Sequence, residues 1–114
     1  MADKLRVLLV PYNEEPRVVE IEHKLEEMQR LVGGLIEAIH VKHDEGTNHS
    51  GVDVWCNEEG LFQYHDQPNR MVFHAGGPAV YIHGPFFVAR VDEEGDTLSL
   101  TDADIKRYSQ LYRL

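Results

Sequence analysis

The sequence has little of what several classes of protein require. It contains one cysteine, Cys56, so no internal disulfide can form, which favours a reducing cytoplasm. Its apolar runs are short, and none approaches the ~20 residues that a membrane span requires. The run Leu5–Val10 is too short for a signal-peptide core and contains Arg6. We therefore expect a cytoplasmic protein that has no membrane partner.

Basic residues are also scarce. The chain of 114 residues has 11 Lys and Arg against 20 Asp and Glu, a formal net charge of −9 with neutral histidines. Binding to a phosphate backbone needs clustered Lys and Arg, whereas only Lys106 and Arg107 are adjacent here. The composition argues against direct binding of nucleic acid and favours solubility or a basic partner. The length fits one domain over residues 1–114.

Alternating and continuous apolar runs predict most of the chain to be strands. The predicted strands are Lys4–Val10, Arg17–Ile21, Leu35–His43, Val52–Cys56, Met71–His74, Ala79–His83 and Phe86–Val91. The first two are separated by a short loop and are expected to form a hairpin.

Two segments carry helical signals instead. The apolar spacing over 25–32 predicts a helix that Gly33 closes. Thr101 is a natural N-cap for a C-terminal helix, whose apolar stripe Ile105–Tyr112 must pack on something. The order of elements predicts an α+β fold, a mixed or antiparallel sheet with two packed helices.

Two metal hypotheses are weaker than their alternatives. The acids of Asp92–Asp96 are contiguous, whereas an EF-hand loop spreads its oxygen ligands over about twelve residues. A hairpin turn with Gly95 at positive φ is therefore favoured. The seven histidines lie in different segments, and His40 and His43 are three apart on a strand, so they leave opposite faces. We expect no metal and no cofactor.

Glu37 is the first candidate site residue. Alternation along Leu35–His43 places it on the same face as Ile39, which is the face expected to be buried. A buried carboxylate is costly unless paired or protonated, and such groups cluster at functional sites. In the competing interpretation Glu37 lies at the open end of the strand, in water or paired with Arg70 or Arg90.

The stretch 52–70 concentrates polar groups, and we consider it the candidate ligand site. Asn57, Asn69 and Arg70 would face one pocket, where the planar guanidinium holds a phosphate or carboxylate and the two amides hold a base or ribose. Trp55 or Tyr64 would stack on the ligand. The alternative is that Asn57-Glu58-Glu59-Gly60 and Pro68-Asn69-Arg70 are plain turns.

Three residues of this stretch, Glu58, Glu59 and Cys56, could take part in catalysis. Glu58 and Glu59 would serve as a general acid and base only if they converged, and adjacent residues on a turn usually diverge. Cys56 shares a face with Val52 and Val54, which indicates a buried, inert thiol.

Five short motifs follow one another along most of the chain. They are Gly33-Gly34 with Ile36-Glu37-Ala38, Cys56-Asn57-Glu58-Glu59-Gly60, Pro68-Asn69-Arg70, Gly84-Pro85-Phe86-Phe87-Val88 and Leu98-Ser99-Leu100-Thr101-Asp102. Together they resemble domain-of-unknown-function family 3846, a family of small phage, plasmid and bacterial proteins. The chain departs from the family pattern in its longer stretch Asp44–Gly51 and in the insert His74–His83.

The resemblance implies a phage or mobile-element setting. It also implies that five candidate site residues belong to family motifs: Glu37, Asn57, Glu58, Asn69 and Arg70. It carries over no catalytic residue and no cofactor, because none is established for the family.

These features support three functional hypotheses. The first is a non-enzymatic binding protein of counter-defence type that sequesters a nucleotide-like ligand, with a homo-oligomer formed through the stripe Ile105–Tyr112. The second is an acidic protein-interaction inhibitor or DNA mimic that blocks a basic host protein. The third is a hydrolase acting through Glu37 or Glu58, which no nucleophile elbow, metal motif or phosphate loop supports.

Overall fold

The computed structural model describes residues 4–42 and 49–114. The strands are β1 (Lys4–Val10), β2 (Arg17–Glu22), β3 (Ile36–Lys42), β4 (His49–Asn57), β5 (Pro68–Phe73), β6 (Ala79–His83), β7 (Phe86–Val91) and β8 (Thr97–Leu98). The helices are α1 (Leu25–Val32), α2 (Gly60–Gln63) and α3 (Asp102–Leu111). None of these helices is long and apolar enough to cross a bilayer.

The strands form two sheets, and each pairing in the described ranges is antiparallel. A six-stranded sheet has the order β2-β1-β7-β4-β3, with β8 paired to β7, and β5 with β6 forms a separate two-stranded sheet. The expected hairpin of the first two strands is confirmed, with Val7 opposite Val19. The predicted α+β fold is confirmed, with an antiparallel sheet.

Alternation along the strands divides the apolar side chains between the two faces of the large sheet. On β1, Leu8 and Val10 join one buried cluster, whereas Val7 and Leu9 join the other. The first cluster packs under α3 and the β5–β6 hairpin, and the second under α1. The molecule therefore has three layers, with the large sheet in the middle.

Helix α3 begins where the sequence predicts. Thr101 Oγ1 accepts a hydrogen bond from the backbone N–H of Asp104, whose carboxylate accepts one from the N–H of Thr101, a complete capping box. Tyr108 and Tyr112 are buried in the first cluster. The two tyrosines of the stripe therefore pack inside the chain, whereas Leu111 is 52% exposed, and the expected homo-oligomer stays a prediction.

The acidic segment after β7 is a hairpin turn, as expected. The backbone N–H of Asp92 donates to the carbonyl of Asp96, and Gly95 has a φ of 88°. One carboxylate oxygen of Asp92 accepts hydrogen bonds from the N–H groups of Glu94 and Asp96. The carboxylate of Asp92 thus holds the connection between β7 and β8.

Several sequence-based boundaries need correction. Pro68-Asn69-Arg70 opens β5 instead of forming a corner, and the four-residue α2 was not expected. The end of the predicted strand at His43 and most of the long loop Asp44–Gly51 lie outside the described residues, although His49–Gly51 opens β4. The expected geometry of the pair His40 and His43 therefore stays a prediction.

Candidate functional site

A pocket lies where the end of the large sheet meets α2 and β6. Its volume is about 190 Å³, and its polar lining comprises Glu37, Cys56, Asn57, Glu58, Tyr81 and His83. Leu61 of α2 forms part of the apolar wall. Three predicted site residues, Glu37, Asn57 and Glu58, are therefore brought together.

Strand register explains why the two carboxylates share this pocket. Glu37 lies opposite Cys56 in the β3–β4 ladder. The ladder continues one step beyond β4, because the N–H of Glu58 donates to the carbonyl of Leu35 over 2.8 Å. Glu37 and Glu58 thus occupy diagonal positions on neighbouring strands, and both line the pocket.

Glu37 is exposed at the open end of its strand, as the competing interpretation expected, and is not buried. It shares the face of Ile39, as alternation predicts, but it stands at the end of β3 and is exposed. Neither arginine considered as a partner pairs with it. Arg90 forms an ion pair with Asp104, and Arg70 bonds to backbone carbonyls. The carboxylate of Glu37 is exposed and accepts a long contact from the Cys56 thiol, so it can also contact an incoming group.

Asn57 holds the pocket together through its buried side chain. Its amide nitrogen donates to the carbonyl of Val32 over 3.1 Å and to Gln63 Oε1 over 2.7 Å. Its side-chain oxygen accepts from the N–H of Glu59, an Asx turn that starts α2. Asn57 therefore fixes α2 against the end of α1, which positions one wall of the pocket.

Cys56 is buried at the base of the pocket, as the sequence predicts. Its Sγ lies 4.0 Å from Glu37 Oε1. Burial, and secondarily the nearby charge of Glu37, raises the pKa of the thiol to about 12. The thiol is therefore protonated at neutral pH and lacks the thiolate that nucleophilic chemistry needs.

Arg70 has a different role from the one that the sequence indicated. Its guanidinium donates to the backbone carbonyls of Tyr112, Pro11 and Glu14 over 2.8, 3.2 and 2.7 Å. Burial lowers its pKa, because the surroundings disfavour the charged form. These contacts join β5 to the loop after β1 and to the end of α3. The guanidinium that was expected to bind a ligand phosphate therefore binds backbone carbonyls of the protein itself.

Asn69 belongs to the network of Arg70. Its amide nitrogen donates to the carbonyls of Val10 and Gly84, each over 2.9 Å, and its side-chain oxygen accepts from Arg70. Neither residue lines the pocket of Glu37 and Glu58. The structure thus separates Asn69 and Arg70 from Asn57, which corrects the idea of one site formed by all three.

The two proposed stacking residues also lie outside this pocket. Trp55 faces the α1 side of the sheet and stacks on Phe87, with ring centroids 6.2 Å apart. Tyr64 lies against Gly33 and Gly84, so closely that a Cβ at Gly84 would stand 2.4 Å from its ring. Both aromatic side chains therefore act in packing.

The residues missed by sequence reasoning come from α2 and β6. His83 Nδ1 lies 3.1 Å from the carbonyl oxygen of Tyr64, to which it donates a hydrogen bond. Tyr81 is exposed at the edge of the pocket, and Leu61 is exposed on α2. Alternation along the strand Ala79–His83 could have indicated Tyr81, because it places the Tyr81 side chain on the opposite face of the strand from the buried Ile82.

The electrostatics of the pocket follow from this composition. Two carboxylates line it, and the described lining residues include no lysine or arginine. An acidic recess of this kind attracts cations and hydrogen-bond donors and repels phosphate groups.

Fold and pocket together define a small antiparallel α+β domain with an acidic recess at one end of the sheet. The chain belongs to the family described as Domain of unknown function (DUF3846), whose family model matches residues 5–113. This match confirms the resemblance carried by the five motifs. No curated protein and no solved structure matches the chain.

Proposed function

We propose that this chain is a non-enzymatic acidic binding protein that engages a basic protein partner. The observation that carries the proposal is the pocket of Glu37 and Glu58, which presents two carboxylates without a lysine or arginine among its described lining residues. The excess of acidic residues over the whole chain would add long-range attraction toward such a partner.

Exposed apolar side chains on α2 and on the β5–β6 hairpin, the elements that flank the pocket, support a protein partner over a small ion. We call this group the apolar rim, and it consists of Leu61, Phe62, Met71, Phe73 and Tyr81. Phe62 is 81% exposed and Tyr81 is 60% exposed, and Met71 lies directly opposite Tyr81 in the β5–β6 ladder. Aromatic residues and methionine are enriched in protein interfaces, where an apolar centre is combined with polar surroundings.

The same geometry disfavours the nucleotide-like ligand. The pocket volume of about 190 Å³ is below the roughly 300–1,000 Å³ of pockets for drug-sized ligands. A phosphate in it would face Glu37 and Glu58, and the arginine expected to bind phosphate bonds to carbonyls elsewhere. The basic partner of the second sequence hypothesis is therefore the better fit.

The family resemblance gives this proposal a setting. We place the protein in the cytoplasm of a cell that carries a phage or mobile element, where a basic host-defence protein would be its target. Blocking such a protein requires occupancy of its surface and no turnover, which agrees with the protonated state of Cys56.

The test is affinity capture with the immobilised protein, followed by titration of the captured partner in purified form. Glu37→Gln/Glu58→Gln and Phe62→Ser/Tyr81→Ser should each weaken binding, and higher salt should weaken wild-type binding. One control is Glu93→Gln/Glu94→Gln, an equal loss of charge on the turn after β7. The other is Val18→Ser/Leu98→Ser, which removes two exposed apolar side chains from the large sheet, outside the apolar rim.

A partner that binds all four variants alike would contradict the proposal. A thermal-shift screen with nucleotides, cyclic dinucleotides and ADP-ribose derivatives gives the competing test. A rise in melting temperature that Glu37→Gln/Glu58→Gln does not alter would return weight to the nucleotide-like ligand. Turnover of a substrate that is lost in the same variant would favour the hydrolase hypothesis instead.

A further inference from the structure

We propose that the pocket of Glu37 and Glu58 receives one arginine side chain of the partner, with flanking apolar residues of the partner seated on the apolar rim. This inference rests on the proposed function and adds the chemistry of recognition. The size of the pocket is the first argument, since about 190 Å³ is too small for a drug-sized ligand but suits a single long side chain.

The placement of the carboxylates is the second argument. Glu37 lies opposite Cys56, and Glu58 lies opposite Leu35, so the two acids are diagonal neighbours across the ladder. Diagonal positions on an antiparallel pair are roughly 7–8 Å apart. The five N–H donors of a guanidinium lie in its plane and point in different directions, so one guanidinium can bond two separated carboxylates at once. An ammonium is instead a compact point charge.

The remaining lining fits the other parts of an arginine. Tyr81 offers an exposed ring at the pocket, on which a guanidinium plane stacks favourably. Leu61 gives the methylene stem an apolar wall. His83 lines the pocket, and the bond from Nδ1 to the carbonyl of Tyr64 fixes its ring. The carboxylates accept hydrogen bonds and the other groups offer surfaces for packing, as arginine requires.

The apolar rim extends this recognition beyond one residue. Met71 and Tyr81 are paired across β5 and β6, and Phe73 lies on the same exposed face of the hairpin. A segment whose arginine enters the pocket would cross this face with its neighbouring residues. The inferred partner element is therefore an arginine flanked by apolar side chains on an exposed surface.

The experiment is an amide NMR titration of the intact protein with N-acetyl-arginine amide, and with the lysine and norleucine counterparts as matched probes. The arginine probe should give saturable shifts confined to the amides of Glu37, Glu58, Leu61 and His83. The lysine probe should bind about tenfold more weakly, because it loses a hydrogen bond to a charged group, and the norleucine probe should give no such shifts.

Two variants sharpen the test. Glu37→Gln/Glu58→Gln should abolish the shifts, whereas Glu93→Gln/Glu94→Gln, with the same net charge, should retain them. The inference is overturned if norleucine matches arginine, if lysine binds as tightly as arginine, or if both variants lose binding equally.

The inference and the proposed function fail in different ways. If the arginine probe leaves the spectrum unchanged while capture of a basic protein still depends on Glu37 and Glu58, the binding function stands and the arginine pocket is rejected. If capture does not depend on these acids, the proposed function fails as well.

Discussion

The Nε–H of Arg70 donates a hydrogen bond to the backbone carbonyl of Tyr112 over 2.8 Å, which fastens the end of α3 to β5. The same guanidinium bonds the carbonyls of Pro11 and Glu14 in the loop after β1. One side chain thus connects three segments that are distant in sequence, and its contacts are internal to the fold.

Arg70→Ala is expected to lower the free energy of unfolding by about 3 kcal/mol, because buried carbonyls lose a charged donor. Arg17→Ala is the control, since Arg17 pairs with an exposed Glu14 and should change stability by less than about 1 kcal/mol. Urea denaturation measures both. Equal stability of Arg70→Ala and the wild type would show that the guanidinium contacts contribute nothing.

Asp104 should make stability depend on pH in the acid range. Its ion pair with Arg90 is the largest cause that lowers its pKa in the folded protein, so the folded state binds its proton less readily than the unfolded state. The stabilisation is therefore complete above the unfolded pKa of roughly 3.9 and is lost as pH falls through the folded pKa.

Asp104→Asn should cost about 2 kcal/mol at neutral pH, and its difference from the wild type should shrink as the solution is acidified below about pH 4. Asp102→Asn provides the control, because Asp102 bears an exposed ion pair with Arg6. Urea denaturation across this pH range measures the effect. A difference that stays constant with pH would rule out the carboxylate charge as its source.

Gly84 and Gly95 form a matched pair of substitution sites. Both have positive φ, 81° and 88°, but a Cβ at Gly84 would lie 2.4 Å from the ring of Tyr64, whereas one at Gly95 would meet nothing within 4 Å. Gly95→Ala should cost about 1 kcal/mol of strain, and Gly84→Ala should cost at least about 1 kcal/mol more. If thermal unfolding gives equal losses for both, Tyr64 moves aside freely.

Cys56 should resist thiol reagents in the folded protein. Burial raises its pKa to about 12, so almost no thiolate is present at about pH 8, whereas an unfolded thiol ionises near 8.5. Labelling with a chromogenic disulfide should therefore follow unfolding and accelerate with urea. Glu37→Gln removes the smaller cause of the raised pKa and should change the rate little. Fast labelling that is indifferent to urea would contradict this reading.

Local patterns were enough to predict most elements of the fold. Alternation located the strands, and Thr101 marked the start of α3, because both signals act over a few residues. The four-residue α2 carries too short a pattern for periodicity to detect. Its start depends on the side chain of Asn57, which also reaches the end of α1, 25 residues earlier.

The candidate site was predicted only in part, for the same physical reason. Glu37 was selected on alternation, which gave its face but predicted burial, and Glu58 was selected because it lies in a polar stretch; both line the pocket. The partners of Arg70 were not, because backbone carbonyls 42 and 59 residues away carry no mark in the sequence. Alternation correctly gave the face of Glu37, but its exposure depends on how the β5–β6 hairpin packs against the sheet, which joins segments distant in sequence.

The neighbouring residues Trp55 and Cys56 point to opposite faces of β4. The chain has one tryptophan and one cysteine, and they report on the cluster under α1 and the cluster under α3 respectively. Indole fluorescence therefore reports on the cluster under α1 and thiol labelling on the cluster under α3, and the two clusters share strand β4. Coincident transitions would mean that both layers collapse as one cooperative unit, and separated transitions would reveal a half-folded state in which one layer outlasts the other.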